Sequence, residues 1–198
     1  MQIKKMLAVA GACCACLAAQ AAPMKVKVVS VMEGDVINVL MPSEDRLVLR
    51  VAGIDAPELT QEFGQKAVLT LAKMVEGKEV MATAITQDES RRYVTILNSN
   101  GRDVGLFMLL NGLAWTLEED LEAMPEELAE TYRTAVAEAR AAKRGLWGGP
   151  HQIEPRRWRE MVKKAQEAAA SNGAGAPITD PRQAMERIQE LRQKHGLN

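Results

Sequence analysis

Short runs of aliphatic and β-branched residues, several of them alternating with polar residues, dominate the chain from residue 26 to residue 97. Alternation of this kind predicts strands with one buried face. Turn-forming residues separate the runs, among them Glu33-Gly34-Asp35 and Asn100-Gly101. The pattern therefore predicts five strands, at residues 26–31, 36–40, 47–54, 78–85 and 93–97.

Three other segments have helical spacing. Within residues 60–76, which we predict to be an amphipathic helix, apolar residues recur every four positions at Phe63, Ala67, Leu71 and Val75. Further helices are predicted over residues 104–110 and from Pro125 to Gly145. Five strands with a helix between the third and fourth, followed by two helices, fit a Greek-key barrel of the OB type. We expect an α+β fold: a five-stranded OB-type β-barrel, about three packed helices and a C-terminal helical extension.

The first 21 residues have the pattern of a secretory signal peptide. Two lysines precede an apolar run over residues 6–18, and Ala19-Gln20-Ala21 is the small-x-small motif that a signal peptidase recognises before Ala22. A membrane anchor is the alternative, but the run is shorter than the roughly 20 apolar residues that span a bilayer. We therefore expect an exported protein, periplasmic or secreted, with no membrane attachment after cleavage.

All three cysteines, Cys13, Cys14 and Cys16, lie within this apolar run. The mature chain would therefore contain no disulfide, zinc–thiolate site or cysteine nucleophile. A lipid anchor on Cys13 is a further alternative, although Ala10-Gly11-Ala12 lacks the large aliphatic residue that lipoprotein signals usually carry.

Charge is distributed unevenly along the mature chain. The 198-residue sequence has a formal net charge of -1 and a pI near 6.2, which excludes a uniformly basic nucleic-acid-binding protein. Residues 24–150 carry 14 basic and 20 acidic side chains, whereas residues 151–198 carry 9 basic and 6 acidic ones. We expect a barrel domain over residues 22–160 and a helical tail over residues 161–198, with a linker near residues 171–177. The tail could be a solvated helix face, a nucleic-acid-binding segment or the docking site of a protein partner.

Four ionisable residues stand in apolar or tightly turned surroundings: Asp35, Arg50, Asp55 and Glu58. A fifth, Arg92, opens the last predicted strand. Arg50 interrupts an aliphatic strand, where a charge is costly unless it is paired or faces a site. Taken singly, each has a structural explanation, since Arg50 could pair with one carboxylate and Asp55-Ala56-Pro57 could be a turn. Taken together, they offer two carboxylates for a metal, one for a proton and two arginines for an anion.

These residues and their neighbours resemble the thermonuclease family, the staphylococcal-nuclease-like phosphodiesterases. The most specific match is the nine-residue segment Arg50-Val-Ala-Gly-Ile-Asp-Ala-Pro-Glu58. Further matches are Gly34-Asp35, Arg92 nine residues before Gly101, Gly101-Arg-Asp-Val, Gly112-Leu-Ala-Trp115, Glu138-Ala-Arg-Ala-Ala-Lys-Arg-Gly-Leu-Trp147 and Pro155-Arg-Arg-Trp158. The resemblance covers roughly residues 24–160.

The resemblance implies an OB-type barrel that binds one calcium ion. Asp35 and Asp55 would supply carboxylate oxygens and Ala56 a backbone carbonyl, the ligands that a hard cation prefers. Glu58 would act as the general base or position the attacking water. The remaining two residues, Arg50 and Arg92, would hold phosphate oxygens and stabilise charge in the transition state. Single- and double-stranded DNA and RNA would be the substrates, cleaved with little sequence preference to products that end in a 3′-phosphate.

The chain departs from the family pattern at several positions. Relatives usually have Asp-Gly-Asp-Thr where this chain has Glu33-Gly34-Asp35-Val36, which predicts a weaker metal site. Relatives often carry a lysine and a tyrosine shortly before the second arginine, whereas this chain has Glu89 in that stretch. Tyrosines that stack on the base in the best-known relative are replaced by an acidic cluster containing Glu118 and Asp120. Because carboxylates repel phosphates, we expect lower or differently directed substrate affinity.

Two functions are compatible with these features. The first is an exported calcium-dependent nuclease, which the joint presence of Arg50, Glu58 and Arg92 favours. The second is a catalytically weakened OB-fold module that binds an oligonucleotide or a protein, which the acidic substitutions favour.

Overall fold

A computed structural model describes residues 21–150 and 152–171 and residue 193. The strands in these residues are β1 (Met24–Val31), β2 (Val36–Leu40), β3 (Arg46–Val51), β4 (Ile54–Asp55), β5 (Glu79–Gln87), β6 (Tyr93–Ser99), β7 (Arg102–Asp103) and β8 (Trp115–Thr116). The helices are α1 (Gly64–Val75), α2 (Val104–Leu110), α3 (Glu118–Leu121), α4 (Glu126–Ala141) and α5 (Pro155–Ser171), with a 3₁₀ turn at Gly145–Gly148.

Five of the strands close into a barrel. Neighbouring strands follow the order β3-β2-β1-β5-β6 and pair antiparallel, and parallel pairing of β3 with β6 closes the barrel, with Arg50 opposite Val94. Helix α1 lies in the connection that leads to β5, between the third and fourth barrel strands. This closed five-stranded barrel with several helices is an α+β fold of the OB type. The predicted fold is confirmed.

The barrel interior and one face of the packed helices form the hydrophobic core. On β1, Val26 and Val28 are buried while Lys25 and Lys27 are exposed, as expected for a strand with one solvent face. Helix α1 buries the apolar face that the four-residue spacing predicts, including Ala67, Leu71 and Val75. The local hydrophobic pattern thus corresponds to real packing in both kinds of element.

The third predicted strand is divided into two elements. β3 ends at Val51, and Gly53, with a φ of +75°, turns the chain so that β4 pairs with β8 instead of continuing in the barrel. A Cβ at residue 53 would lie 2.8 Å from the ring of Tyr132, a clash that glycine avoids. The bend places Asp55 opposite Trp115, outside the barrel sheet.

Helix α1 begins at Gly64 rather than at residue 60. The preceding residues form turns, in which the backbone N of Gln61 donates to the carbonyl O of Glu58 at 2.8 Å and that of Gly64 donates to the carbonyl O of Gln61 at 3.0 Å. A Cβ at residue 64 would lie 1.8 Å from the carbonyl O of Glu58. This close approach packs the backbone of Glu58 against the start of the helix.

Several predictions concern residues outside the described ranges. The predicted signal peptide lies outside them except for residue 21, and so do the terminal helix and the predicted linker beyond residue 171. Helix α5 runs across residue 160, where we predict a domain boundary. In the described residues, no helix is both long and apolar enough to cross a membrane.

The hydroxyl of Tyr132 connects helix α4 to the start of α2. It donates to Oδ1 of Asp103 at 2.6 Å, and the same oxygen accepts from the backbone N of Leu106 at 2.8 Å. Burial raises the pKa of Asp103 above its ordinary value, and burial together with the charge of Asp103 raises the pKa of Tyr132. Since Tyr132 is fully buried, its hydroxyl depends on Asp103 for a hydrogen-bond partner.

Replacing Tyr132 by phenylalanine removes only this hydroxyl. Because the half-buried carboxylate of Asp103 then loses a donor, we expect Tyr132→Phe to lower the free energy of unfolding by about 1–2 kcal/mol. Urea denaturation followed by circular dichroism measures the change. The matched control, Tyr93→Phe, alters a tyrosine that is 39% exposed and should change stability by less than about 0.5 kcal/mol. Equal effects of the two variants would contradict the role of the bond.

Candidate active site

One cleft contains every residue to which the sequence assigns chemistry. It has a volume of about 740 Å³, and its lining includes Asp35, Arg50, Asp55, Ala56, Glu58 and Arg92. These residues come from the connection between β1 and β2, from β3, from β4 and the turn after it, and from the segment just before β6. The barrel therefore brings together side chains that are far apart in the sequence.

The connection between β1 and β2 presents Asp35. A Cβ at Gly34 would lie 2.6 Å from the Cβ of Ala56 and 2.8 Å from the Cβ of Ala67, so only glycine allows the connection to pack this closely. Asp35 is 6% exposed, and its Oδ2 accepts from the backbone N of Ala56 at 3.4 Å. Two of the predicted metal ligands, Asp35 and Ala56, are thus neighbours in the fold.

Asp35 lies among other carboxyl groups. Burial, followed by the charges of Asp55 and Glu33, raises the pKa of Asp35 from 3.8 to about 8. The pKa of Glu33 is also raised, by burial and then by the charge of Glu58. Carboxyl groups are therefore crowded into one region of the cleft, where a bound cation would relieve their mutual repulsion.

The chemistry of this region fits a hard cation. Asp35 and Asp55 offer carboxylate oxygens and Ala56 a backbone carbonyl, the oxygen donors that calcium prefers. In the part of the chain that the structure describes, no group of three or more histidine, cysteine, aspartate or glutamate side chains is already arranged to hold a metal ion. The donors are present, but both carboxylate oxygens of Asp55 accept hydrogen bonds from Arg159.

Arg50 is buried and paired. Its Nη1 donates to Oδ2 of Asp120 and its Nη2 to Oδ1, both at 2.8 Å, and its Nε lies 3.4 Å from Oδ2 of Asp88. Against the effect of burial, the bond to Asp120 raises the pKa of Arg50. Asp120, which is 4% exposed, also accepts from the backbone N of Gly53 at 2.9 Å. One carboxylate of the predicted acidic cluster is therefore neutralised inside the protein.

Arg92 keeps part of its guanidinium available. Its Nε donates to Oδ2 of Asp88 at 2.8 Å, and its backbone N donates to Oδ1 at 2.9 Å. Although burial opposes them, these bonds hold the pKa of Asp88 below its ordinary value. The Arg92 side chain is 30% exposed, and no described residue bonds to its Nη1 or Nη2. Its two terminal nitrogens are therefore free to receive an anion.

Helix α5 adds an arginine to the cleft. Nη1 of Arg159 donates to Oε1 of Glu58 at 2.6 Å and to Oδ1 of Asp55 at 3.2 Å, and its Nη2 donates to Oδ2 of Asp55 at 3.2 Å. Against the effect of burial, these bonds raise the pKa of Arg159. Gln61 holds the approach to α5 nearby, because its side-chain amide donates to the backbone carbonyl of Ile153.

Two residues of the site, Asp88 and Arg159, have no role in the sequence-based prediction, and Asp120 is predicted only as part of an acidic cluster that repels phosphates. The position of Arg50 in an aliphatic strand signalled the need for a partner, but its partner Asp120 lies 70 residues away. Arg159 lies in an arginine-rich segment, 104 residues from Asp55, and no local pattern connects the two. Pairing across such separations follows from the fold and not from spacing in the sequence.

Asp120→Asn preserves the shape of the side chain but removes the charge that Arg50 needs. Because the buried arginine then keeps only the 3.4 Å contact of its Nε with Asp88, we expect the free energy of unfolding to fall by about 3 kcal/mol, the lower end of the cost of breaking a buried pair. Urea denaturation of residues 22–198 measures the loss. The control is Glu119→Gln, whose partner Arg156 lies 3.4 Å away at an exposed site, and it should cost less than about 1 kcal/mol. Similar losses in both variants would contradict an anchoring role for Asp120.

The raised pKa of Asp35 predicts a pH dependence of stability in the metal-free protein. The folded protein keeps this proton up to about pH 8, whereas the unfolded chain loses it near the ordinary pKa of 3.8. Since the unfolded state binds fewer protons between these values, stability falls as the pH rises through this window, by up to about 1.4 kcal/mol per pH unit.

Asp35→Asn removes this contribution. Urea unfolding in the presence of chelator, repeated across the same pH window, should show the wild type losing stability relative to Asp35→Asn as the pH rises. Asp45→Asn, the same substitution in an exposed turn, is the control and should run parallel to the wild type. A parallel curve for Asp35→Asn would contradict the raised pKa.

The sequence is similar to those of several proteins named as nucleases. A family model described as "Staphylococcal nuclease homologue" matches residues 48–149. The chain is 31% identical over 137 residues to an "Uncharacterized endonuclease" of Haemophilus influenzae, which covers 69% of this chain and 74% of that protein. It is 33% identical over 135 residues to an "Uncharacterized endonuclease" of Escherichia coli O157:H7, with 67% and 83% covered. It is 30% identical over 148 residues to a "Micrococcal nuclease" of Shigella flexneri, with 70% and 82% covered. The chain therefore belongs to the staphylococcal nuclease family, and it is a nuclease.

Proposed function

We propose that this nuclease is exported, depends on calcium and hydrolyses phosphodiester bonds of DNA and RNA with little sequence preference. The observation that carries the proposal is the meeting of Asp35, Asp55, Glu58 and Arg92 in one cleft. Metal-assisted hydrolysis of a phosphodiester can use oxygen ligands for a cation, a carboxylate that takes a proton and a guanidinium that binds phosphate, and the cleft offers all three. Export is supported by the N-terminal sequence that precedes Ala22.

We assign Glu58 the role of the general base that takes a proton from the attacking water. It lies in the turn before α1, where its backbone N donates to Oε1 of Gln61 at 3.2 Å. Its side chain is 26% exposed, so its carboxylate can reach a water molecule in the cleft. As Glu58 takes the proton, the water oxygen attacks phosphorus and the bond to the leaving oxygen breaks.

Arg92 is the main phosphate-binding residue in this proposal. Its free Nη1 and Nη2 suit two oxygens of one phosphate, a planar contact that lysine does not make. Arg50 lines the same cleft, and the second hydrogen of its Nη2 has no acceptor among the described residues. We assign it a supporting role beside Arg92, with its orientation fixed by Asp120.

Asp35, Asp55 and the carbonyl of Ala56 are the ligands that we assign to calcium. When bound there, calcium would neutralise the phosphate and polarise it as a Lewis acid. The protein contributes a crowded set of oxygens whose repulsion a bound cation would relieve. Arginine and calcium would contact phosphate groups, which carry no sequence information and which DNA and RNA share. Such contacts support activity on both nucleic acids with little sequence preference.

Glu58→Gln and Arg92→Ala should each lower the turnover of residues 22–198 by at least about 100-fold, because each removes a group that acts in the transition state. Degradation of single- and double-stranded DNA and of RNA, with calcium and with chelator, measures the effect. Glu62→Gln changes an exposed glutamate of the same turn and is the matched control. Circular dichroism of all variants verifies that the fold is intact.

The assay also separates the two functions. Cleavage that requires calcium and is lost in both variants, but not in Glu62→Gln, supports the proposal. Unchanged cleavage in either Glu58→Gln or Arg92→Ala contradicts the mechanism. A folded wild-type protein that binds oligonucleotide but degrades none would favour the alternative, an OB-fold binding module.

A further inference from the structure

Arg159 is bound to the two carboxylates that the proposed reaction uses most directly. One guanidinium bonds both side-chain oxygens of Asp55, at 3.2 Å each, and Oε1 of Glu58 at 2.6 Å. In this arrangement Asp55 offers no oxygen that is free of the arginine, and Glu58 has one of its two oxygens occupied. Arg159 therefore competes with a cation for Asp55 and with the attacking water for Glu58.

The start of helix α5 does not depend on this contact for its position. The Arg159 side chain is 50% exposed, and ion pairs at such exposure contribute little to stability. The chain has other anchors here, since the side chain of Gln61 bonds to the carbonyl of Ile153 and Pro155 is buried. Arg159 can therefore leave Asp55 and Glu58 while the helix stays in place.

The cleft carries an excess of negative charge. Its lining includes eight acidic side chains but only four arginines: Arg50, Arg92, Arg156 and Arg159. Arg50 is neutralised by Asp120, and Arg92 shares its charge with Asp88. A nucleic-acid strand brings more negative charge, so its entry requires that further positive charge become available.

Resting on the proposed function, we propose that Arg159 exchanges partners when substrate binds. In the free protein it neutralises Asp55 and Glu58, and once Asp55 binds calcium it turns to a backbone phosphate of the nucleic acid. The exchange keeps Asp55 and the phosphate paired, because a cation would take the place of the guanidinium at Asp55 and the guanidinium meets the incoming phosphate. Glu58 is released from Arg159 to act on the attacking water. Arg159 is thus a counter-ion of the free enzyme and a substrate-binding residue of the complex.

The first measurement compares Arg159→Gln with Arg157→Gln in residues 22–198. Both variants remove one positive charge from α5, but Arg157 is exposed and bonds to neither Asp55 nor Glu58. Isothermal titration calorimetry without nucleic acid gives the Kd of calcium. Because Arg159 competes with calcium for Asp55, Arg159→Gln should bind calcium at least about fivefold more tightly than the wild type, whereas Arg157→Gln should match the wild type.

The second measurement is KM for a single-stranded oligonucleotide at saturating calcium. Since the phosphate loses a charge-assisted hydrogen bond, Arg159→Gln should raise KM about tenfold. Arg159→Lys keeps the charge and should raise KM less. A residue with only a structural role would weaken the binding of both ligands, so opposite changes for calcium and nucleic acid are the signature of the exchange.

Unchanged calcium affinity in Arg159→Gln, or an unchanged KM, would overturn the exchange and leave the calcium-dependent nuclease in place. Failure of the proposed function has a different result. In that case calcium binds to neither the wild type nor Arg159→Gln, and cleavage proceeds equally in chelator, which overturns both proposals.

Discussion

The buried ion pair between Arg50 and Asp120 is the contact on which the geometry of the cleft depends. Two bonds of 2.8 Å join β3 of the barrel to α3, and Asp120 also accepts from the backbone N of Gly53. Gly53 is the bend that directs β4 out of the barrel, and β4 carries Asp55. Because a buried charge is tolerated only with a partner, one carboxylate fixes both the arginine and the course of the chain toward the candidate metal ligand.

The crowding of carboxylates is the second constraint, and it opposes the first. The ion pair stabilises the folded chain, whereas burial and the neighbouring charges of Asp55 and Glu33 raise the pKa of Asp35 to about 8. A buried carboxyl group among other acids is unfavourable for folding alone, yet such a set of oxygens is what a hard cation requires. The cleft is therefore a region in which stability is given up for affinity toward positive charge.

The barrel could be predicted because the period of apolar residues is a local property of each strand and helix. The bend at Gly53 could not, since it depends on the ring of Tyr132 and on pairing between β4 and β8. The candidate site likewise has residues that local sequence predicts and residues that only the fold brings in. Its candidate catalytic and metal-binding residues lie in short segments with recognisable order, and all of them line one cleft. Their partners Asp120 and Arg159 approach from 70 and 104 residues away, so only the folded chain identifies them.

The family match ends at residue 149, and α5 begins at Pro155. A helix beyond the matched residues therefore supplies the guanidinium that bonds Asp55 and Glu58. An arginine from outside the barrel suits this nuclease, because residues 24–150 carry only 14 basic but 20 acidic side chains. The barrel holds its carboxylates rigidly, while an arginine on an appended helix is bound only by an exposed ion pair, which salt and competing ions weaken. In the proposed exchange an acidic barrel can then engage a polyanion, because Arg159 turns from Asp55 and Glu58 to the phosphate once Asp55 binds a cation.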